Sequence, residues 1–236
     1  MAAVASGVER FEGFSDDAIQ FFLELQAEQS RVWFKAHQDD FVKFCRRPLE
    51  LFVEELRERL VDTYPDIVDV EPHFMRIQRD TRFVRDKPPY KTNVAANLAM
   101  RVPSGSEEDR HSIPGLYVSF GLDGEYVGIG RWYLPPETLT RYRTLLDDAR
   151  TGSQIQRHVD ALRQRGFTLS AMESLKRVPS PFAQDHPRAE LLKLKGIAFS
   201  VQPTENLSSS RALLDWAAEE MRAAAPLMHL LDRKLR

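Results

Sequence analysis

The spacing of apolar residues changes twice along this chain. A chain that passes from a period of 3.6 to a period of 2 and back has to pack helices against a sheet. Up to Pro65 the pattern is helical. Ser15 stands as an N-cap before Asp16 and Asp17, and Ile19, Phe22, Leu23 and Leu25 follow on one face. A second helix is predicted from about residue 31 to 44. A third opens with Pro48 in its first turn, carries Leu49, Phe52, Val53, Leu56 and Leu60 on one side, and stops at Tyr64-Pro65. Residues 70–79 then alternate, with His73, Met75, Ile77 and Arg79 on one face and Phe74, Arg76 and Gln78 on the other. Residues 92–101 alternate more cleanly, with Asn93, Ala95, Asn97, Ala99 and Arg101 opposed to Val94, Ala96, Leu98 and Met100. Residues 115–122 and 125–131 read as a hairpin turned at Asp123-Gly124, and residues 197–202 as a fifth strand.

Beyond Pro135-Pro136 the helical period returns. Helices are predicted over 137–149, 154–164 (closed by Gly166), 187–195 (ended by Gly196) and 209–224, with Pro226 starting or kinking a last one. Residues 167–179 read as short extended pieces. The expectation is an α+β fold: a largely antiparallel sheet of about five strands, with an N-terminal helical part and C-terminal helices packed on it. Residues 1–10 are expected to be disordered. Residues 11–236 are expected to form a single α+β domain, helical over 11–65, sheet over 70–131 and mixed over 135–236.

Bulk numbers narrow the function classes. A chain of 236 residues buries a sizeable core. Its net charge of −2 argues against general electrostatic capture of nucleic acid, so any basic site has to be local. A single cysteine, Cys45, excludes an internal disulfide and a cysteine-based zinc cluster, and fits a reducing cytoplasm. No apolar run reaches the roughly 18 residues of a membrane span, and residues 1–7 are too short for the apolar region of a secretion signal. The expected location is the cytoplasm, with no membrane.

One stretch carries most of the functional signal. FMRIQRDTRFVRDKPPYKT, residues 74–92, holds Arg76, Arg79, Arg82, Arg85, Lys87 and Lys91, with Asp80 and Asp86 between them and Pro88-Pro89 stiffening it. Arginine forks on a rigid loop suit bidentate binding of phosphate or carboxylate. The reading is a ligand-binding loop of Arg76, Arg79, Arg82, Arg85, Lys87 and Lys91, with Tyr90 donating a hydrogen bond or stacking. The polar sheet face would floor the pocket, through Asn93 and Asn97 with Arg76, Gln78 and Arg101, and Tyr117, Ser119 and Tyr126 from the hairpin. Three alternatives stand beside it: Asp80 and Asp86 pairing internally with the arginines as a structural network, a basic loop tracking a nucleic-acid backbone, and a protein-interaction module.

Catalytic groups are not legible. Asp80, Asp86 and His186 are weak candidates for acid or base work, and His73 is a lesser one. The six histidines are too dispersed for a metal signature, and neither GxxxxGK[ST], GxGxxG nor GxSxG occurs. Cys45, between Phe41, Phe44 and two arginines, reads as a core thiol. The sequence implies no cofactor, no reaction and no oligomeric state.

Four motifs in order now carry a resemblance: FEGFSDDAIQFFLELQAEQSRVWFKAHQDDF, RIQRDTRFVRDKPPYKTN, GLYVSFGLDGEYVGIGRWYLPPETLTRYR and LKRVPSPFAQDHPRAELLKLKGIAF. Through them the chain resembles the bacterial and fungal family catalogued as domain of unknown function 2461, from about Phe11 into the last helix. Two departures are visible. Gly128-Ile129-Gly130-Arg131 stands where a glycine triplet is usual, which would crowd a tight strand end. Gln29-Ser30-Arg31 stands for Asn-Asn-Arg, which would remove polar groups facing a partner. The resemblance implies one domain and an important basic block, and brings no activity.

Overall fold

The computed structural model describes residues 9–80, 88–100 and 113–235. Helix α1 (Asp16–Ala27) begins after Ser15 with its two aspartates in the first turn. Helix α2 (Arg31–Ala36) is capped by Ser30, whose Oγ accepts from the Trp33 N–H at 3.1 Å. After His37 the chain runs without interruption through α3 (Gln38–Asp40), a π-helical turn (Phe41–Arg46) and α4 (Arg47–Leu60). The predicted second and third helices therefore break at His37 rather than before Pro48. Pro48 sits in the first turn of α4, directly after the π-helical turn in which the Arg47 N–H reaches back to the Val42 carbonyl. A short 3-10 turn, Pro65–Val68, follows.

Among the described residues the sheet has six strands, against about five expected, all antiparallel and in the order β1-β2-β3-β4-β6-β5. They are β1 (His73–Phe74), β2 (Asn93–Ala99), β3 (Gly115–Gly121), β4 (Tyr126–Arg131), β5 (Thr168–Ser170) and β6 (Ile197–Val201). The strand expected over 70–79 shrinks to two residues at the sheet edge. The added strand is β5, three residues long, which falls in the stretch read as short extended pieces and was not counted in the sheet. The β3–β4 turn is closed by the Gly124 N–H on the Gly121 carbonyl at 3.0 Å, with Gly124 at φ +85°.

Alternation along the strands gives two unlike faces. One carries Ala96, Leu98, Leu116, Val118, Phe120, Val127, Ile129 and Phe199, all buried, and lies against the helices; Phe14 stacks on Phe120 at 3.8 Å. At about 25 cal/mol per Å² of apolar area, this face and the helices on it supply the main stabilisation. On the opposite face a single cross-strand row reads His73, Asn97, Tyr117, Gly128, Ser200 and Thr168.

Helices α5 (Pro136–Asp147) and α6 (Ala149–Gln164) meet at Asp148, whose Oδ1 accepts from the Thr151 N–H at 2.6 Å. That cap starts α6 five residues earlier than the apolar pattern implies. Helix α7 (Ala189–Lys193) is short. Gly196 is not its left-handed cap. Its missing Cβ leaves room for the Trp132 carbonyl, 2.3 Å from where that atom would stand. Helix α8 (Ala212–Leu235) runs through Pro226 as one element, so no new helix starts there. An internal proline costs about 3 kcal/mol, but buried Met221, Ala224, Leu227, Met228 and Leu231 pack on both sides of it and outweigh that cost. Buried side chains from Phe11 to Leu235 form one connected cluster. Among the described residues, no helix is long and apolar enough to cross a membrane.

Candidate functional site

The basic block forms the root of a hairpin. Past β1 the pairing slips by two residues, and Gln78 then pairs with Tyr90. The Arg79 N–H reaches the Pro89 carbonyl at 2.7 Å, and the Lys91 N–H reaches the Ile77 carbonyl at 2.8 Å. Arg82, Arg85, Asp86 and Lys87 lie outside the described residues, as do Arg101 and residues 1–8. Glu9, expected to be disordered, accepts from Arg47 at 2.6 Å.

Three cations stand at the root. The Lys91 Nζ donates to the Arg76 carbonyl at 2.8 Å, and the Arg79 Nε donates to the Tyr90 carbonyl at 3.3 Å. Arg76 is exposed, while Arg79 and Lys91 are half-buried. Among the described residues none of the three makes an ion pair. Burial, and then the charge of Arg79, hold the Lys91 ammonium below its ordinary value of 10.5.

Tyr90 takes a different place from the one predicted. It is buried, its ring stacks on Phe34 at 4.8 Å and 23°, and its N–H donates to the Gln29 Oε1 at 3.0 Å. In a non-hydrogen-bonded antiparallel pair the two residues' N–H and C=O groups point away from each other. That leaves the Tyr90 N–H free for Gln29. The tyrosine anchors the hairpin to the α1–α2 corner.

The structure brings Asn93, Tyr117, Ser119 and Tyr126 together on the polar face, as expected. The Asn93 Nδ2 donates to the Ser119 Oγ at 2.8 Å, and the Tyr117 and Tyr126 rings stack at 5.5 Å. Burial, then Tyr126, push the Tyr117 phenol up, against smaller opposing effects from Ser119 and Asn93. Asn97 lies further along the same face, its Oδ1 shielded from solvent and without a hydrogen-bond partner. The register sets His73, rather than Arg76 or Gln78, opposite Asn97, because Phe74 turns to the core side against Ala96. Ser200 and Thr168 join this row and were missed; finding them requires the β4–β6 and β5–β6 registers, which no local pattern reveals.

The remaining candidates have structural surroundings. The His186 Nδ1 accepts from the Arg188 N–H at 3.0 Å, and its Nε2 lies 3.4 Å from the Asp147 Oδ1. Buried Arg188 in turn donates through Nε to the Leu146 carbonyl. This segment closes the C-terminal end of α5 and opens α7. Asp80 is exposed and engaged in an interaction of its own. Cys45 is fully buried, and burial pushes its thiol far up, which suits a core thiol. Among the described residues no group of histidine, cysteine and carboxylates could hold a metal ion.

Both departures from the family pattern have a structural account. Ile129 points into the core while Gly128 and Gly130 face the other way, so the inserted bulk meets no tight strand end. Gln29 and Ser30 serve the Tyr90 contact and the α2 cap instead of facing a partner. No curated protein matches the sequence. The model of a family described as "Conserved hypothetical protein (DUF2461)" matches residues 17–230, and the chain belongs to that family.

Proposed function

We propose that this protein binds a small molecule bearing a phosphate or carboxylate group at the root of the basic hairpin, beside the polar sheet face, and that it does so in the cytoplasm. Arg76, Arg79 and Lys91 hold the anion at the root, and Arg82, Arg85 and Lys87 are further cations of the same sequence block, outside the described residues. Asn93 and Asn97 contribute from the sheet. The observation that carries the reading is the half-buried pair Arg79 and Lys91. Burial first, and then the charge of Arg79, lower the Lys91 ammonium, and no carboxylate of the described residues is paired to either. An anion bound between them relieves their repulsion. A purely structural ion-pair network gains nothing from bringing two cations together.

The test is a thermal-shift screen of phosphates and dicarboxylates on the wild type, Arg79→Ala and Lys91→Ala. A ligand at a hundredfold excess over Kd adds about 2.7 kcal/mol of stability. The expected result is a raised midpoint in the wild type that is lost in both variants. Binding should also take up protons at alkaline pH below 10.5, since the anion raises the depressed ammonium. Calorimetry in two buffers of different ionisation enthalpy reads this directly. No shift with any anion, together with a large loss of intrinsic stability in the variants, makes the cluster structural.

A further inference from the structure

We infer that the ligand's body beyond the anionic group is uncharged and rich in hydroxyls, so that the ligand is a phosphomonoester of a sugar-like molecule and not a dicarboxylate or a polyphosphate. This rests on the anion-binding reading and deepens it. Strand β2 begins at Asn93, two residues after Lys91 and past a bend at Thr92, so its first polar side chain lies within about 7 Å of the cation by chain length. That is the span from a phosphate to the ring of a sugar attached to it.

At that distance three strands converge. Asn93 comes from β2, Tyr117 and Ser119 from β3, and Tyr126 from β4. Each hydroxyl both donates and accepts, and each amide does so through different atoms. Such a set matches hydroxyl groups, which have the same double character. Asn97 adds a solvent-shielded acceptor without a donor.

Charge on the described residues favours this class over the others. Among them, the polar face of strands β1 to β6 carries no lysine or arginine. A second carboxylate or phosphate lying there would lose water without gaining a cation from these strands. The anionic charge is thus confined to one end of the ligand. Three cations at that end suit the near-double charge and three acceptor oxygens of a phosphomonoester better than a single carboxylate.

Isothermal titration with inorganic phosphate, ribose 5-phosphate, AMP and succinate tests this on the wild type, Asn93→Ala, Tyr117→Phe and Lys91→Ala. The expected result is that ribose 5-phosphate binds at least about tenfold tighter than inorganic phosphate, while succinate binds no tighter than phosphate. Tyr117→Phe should lose that advantage and keep its phosphate affinity within about twofold, since its hydroxyl partners are Tyr126, Ser119 and Asn93 and not the cations, and Asn93→Ala should lose that advantage as well. Lys91→Ala should lose both. AMP separates two sources of the same chemistry: tighter binding than ribose 5-phosphate assigns a nucleotide, equal binding a free sugar phosphate. Equal affinity of the wild type for phosphate and ribose 5-phosphate overturns the inference and leaves the anion site standing. Preference for succinate overturns it as well. No binding of any anion overturns both.

Discussion

Replacing Tyr90 separates two roles that the sequence superimposes. The residue lies within the basic block, yet its ring is only 6% exposed and packs on Phe34, which is itself buried. Truncating a buried aromatic to alanine removes the transfer energy of the ring and leaves a cavity, together about 3–5 kcal/mol. At about 2–4 °C per kcal/mol for a chain of this length, Tyr90→Ala should lower the midpoint by about 10 °C or more. Tyr90→Phe is the discriminating partner. Among the described residues the hydroxyl makes no hydrogen bond, so its removal should change stability by less than about 0.5 kcal/mol. It should also leave anion affinity unchanged, since the anchor is the ring and the backbone N–H. Urea denaturation of both variants, followed by phosphate titration of the folded Tyr90→Phe protein, measures the three quantities. A several-fold loss of anion affinity in Tyr90→Phe with intact stability would return the hydroxyl to the site and refute the anchoring argument. A loss of less than about 1 kcal/mol in Tyr90→Ala would show that the Phe34 contact is not holding the hairpin.

Two further outcomes follow from positions far from the hairpin. Gly130 has φ +137°, and an added Cβ would stand 2.2 Å from the Ile197 carbonyl in the paired strand. Gly130→Ala should therefore cost more than about 3 kcal/mol or abolish soluble expression. Gly128→Ala, where the nearest atom is the Tyr117 Cβ at 3.3 Å, should give a protein that still melts cooperatively. Glu55 accepts from Arg211 at 2.5 Å and from the Phe11 N–H at 2.6 Å, and these contacts, Arg211 first, hold its carboxyl below the ordinary 4.5. A depressed carboxylate stabilises above its unfolded value and stops doing so as pH falls through its folded one. The stability gap between the wild type and Glu55→Gln should thus be constant above about pH 5 and close below 4.5, whereas a gap that stays constant down to pH 3 would refute the linkage.

The faces of the central strands were legible because alternation alone decides them. Asn93 and Asn97 separate from Val94, Ala96 and Leu98 whatever pairs with the strand, and Tyr117, Ser119 and Tyr126 follow the same rule. What could not be read was where alternation fails. The polarity of Arg76 and Gln78 put them on the face of Asn97, whereas the register gives that place to His73, turns Phe74 to Ala96, and slips by two residues before Gln78 meets Tyr90. Pro226 left two readings open, a new helix or a kink, and tertiary packing on both sides of the residue carries one helix through it. The N-cap at Asp148 shows a third kind of gap: a polar side chain started a helix where no apolar residue announced one.

The distances along the chain matter more for the candidate site than the basic composition does. Gln29 and Phe34 belong to the first motif of the family pattern, and Tyr90 belongs to the second, yet all three meet in one contact. The Gln29 Nε2 also donates to the Leu25 carbonyl at 2.7 Å, so the same amide closes α1 and grips the hairpin. The two motifs therefore form one mechanical unit. A flexible basic loop would lose conformational entropy each time it closed on an anion, on the order of 1 kcal/mol per ordered residue. Rooting the loop at Tyr90 on a packed aromatic pair places that cost in folding, where the core offsets it. Arg79 and Lys91, the two residues flanking that anchor in the hairpin's register, are then held side by side before any ligand arrives. Preorganised like charges of this kind are stable only because the surrounding core is, and that is why the anchor and the cations have to be tested by separate substitutions.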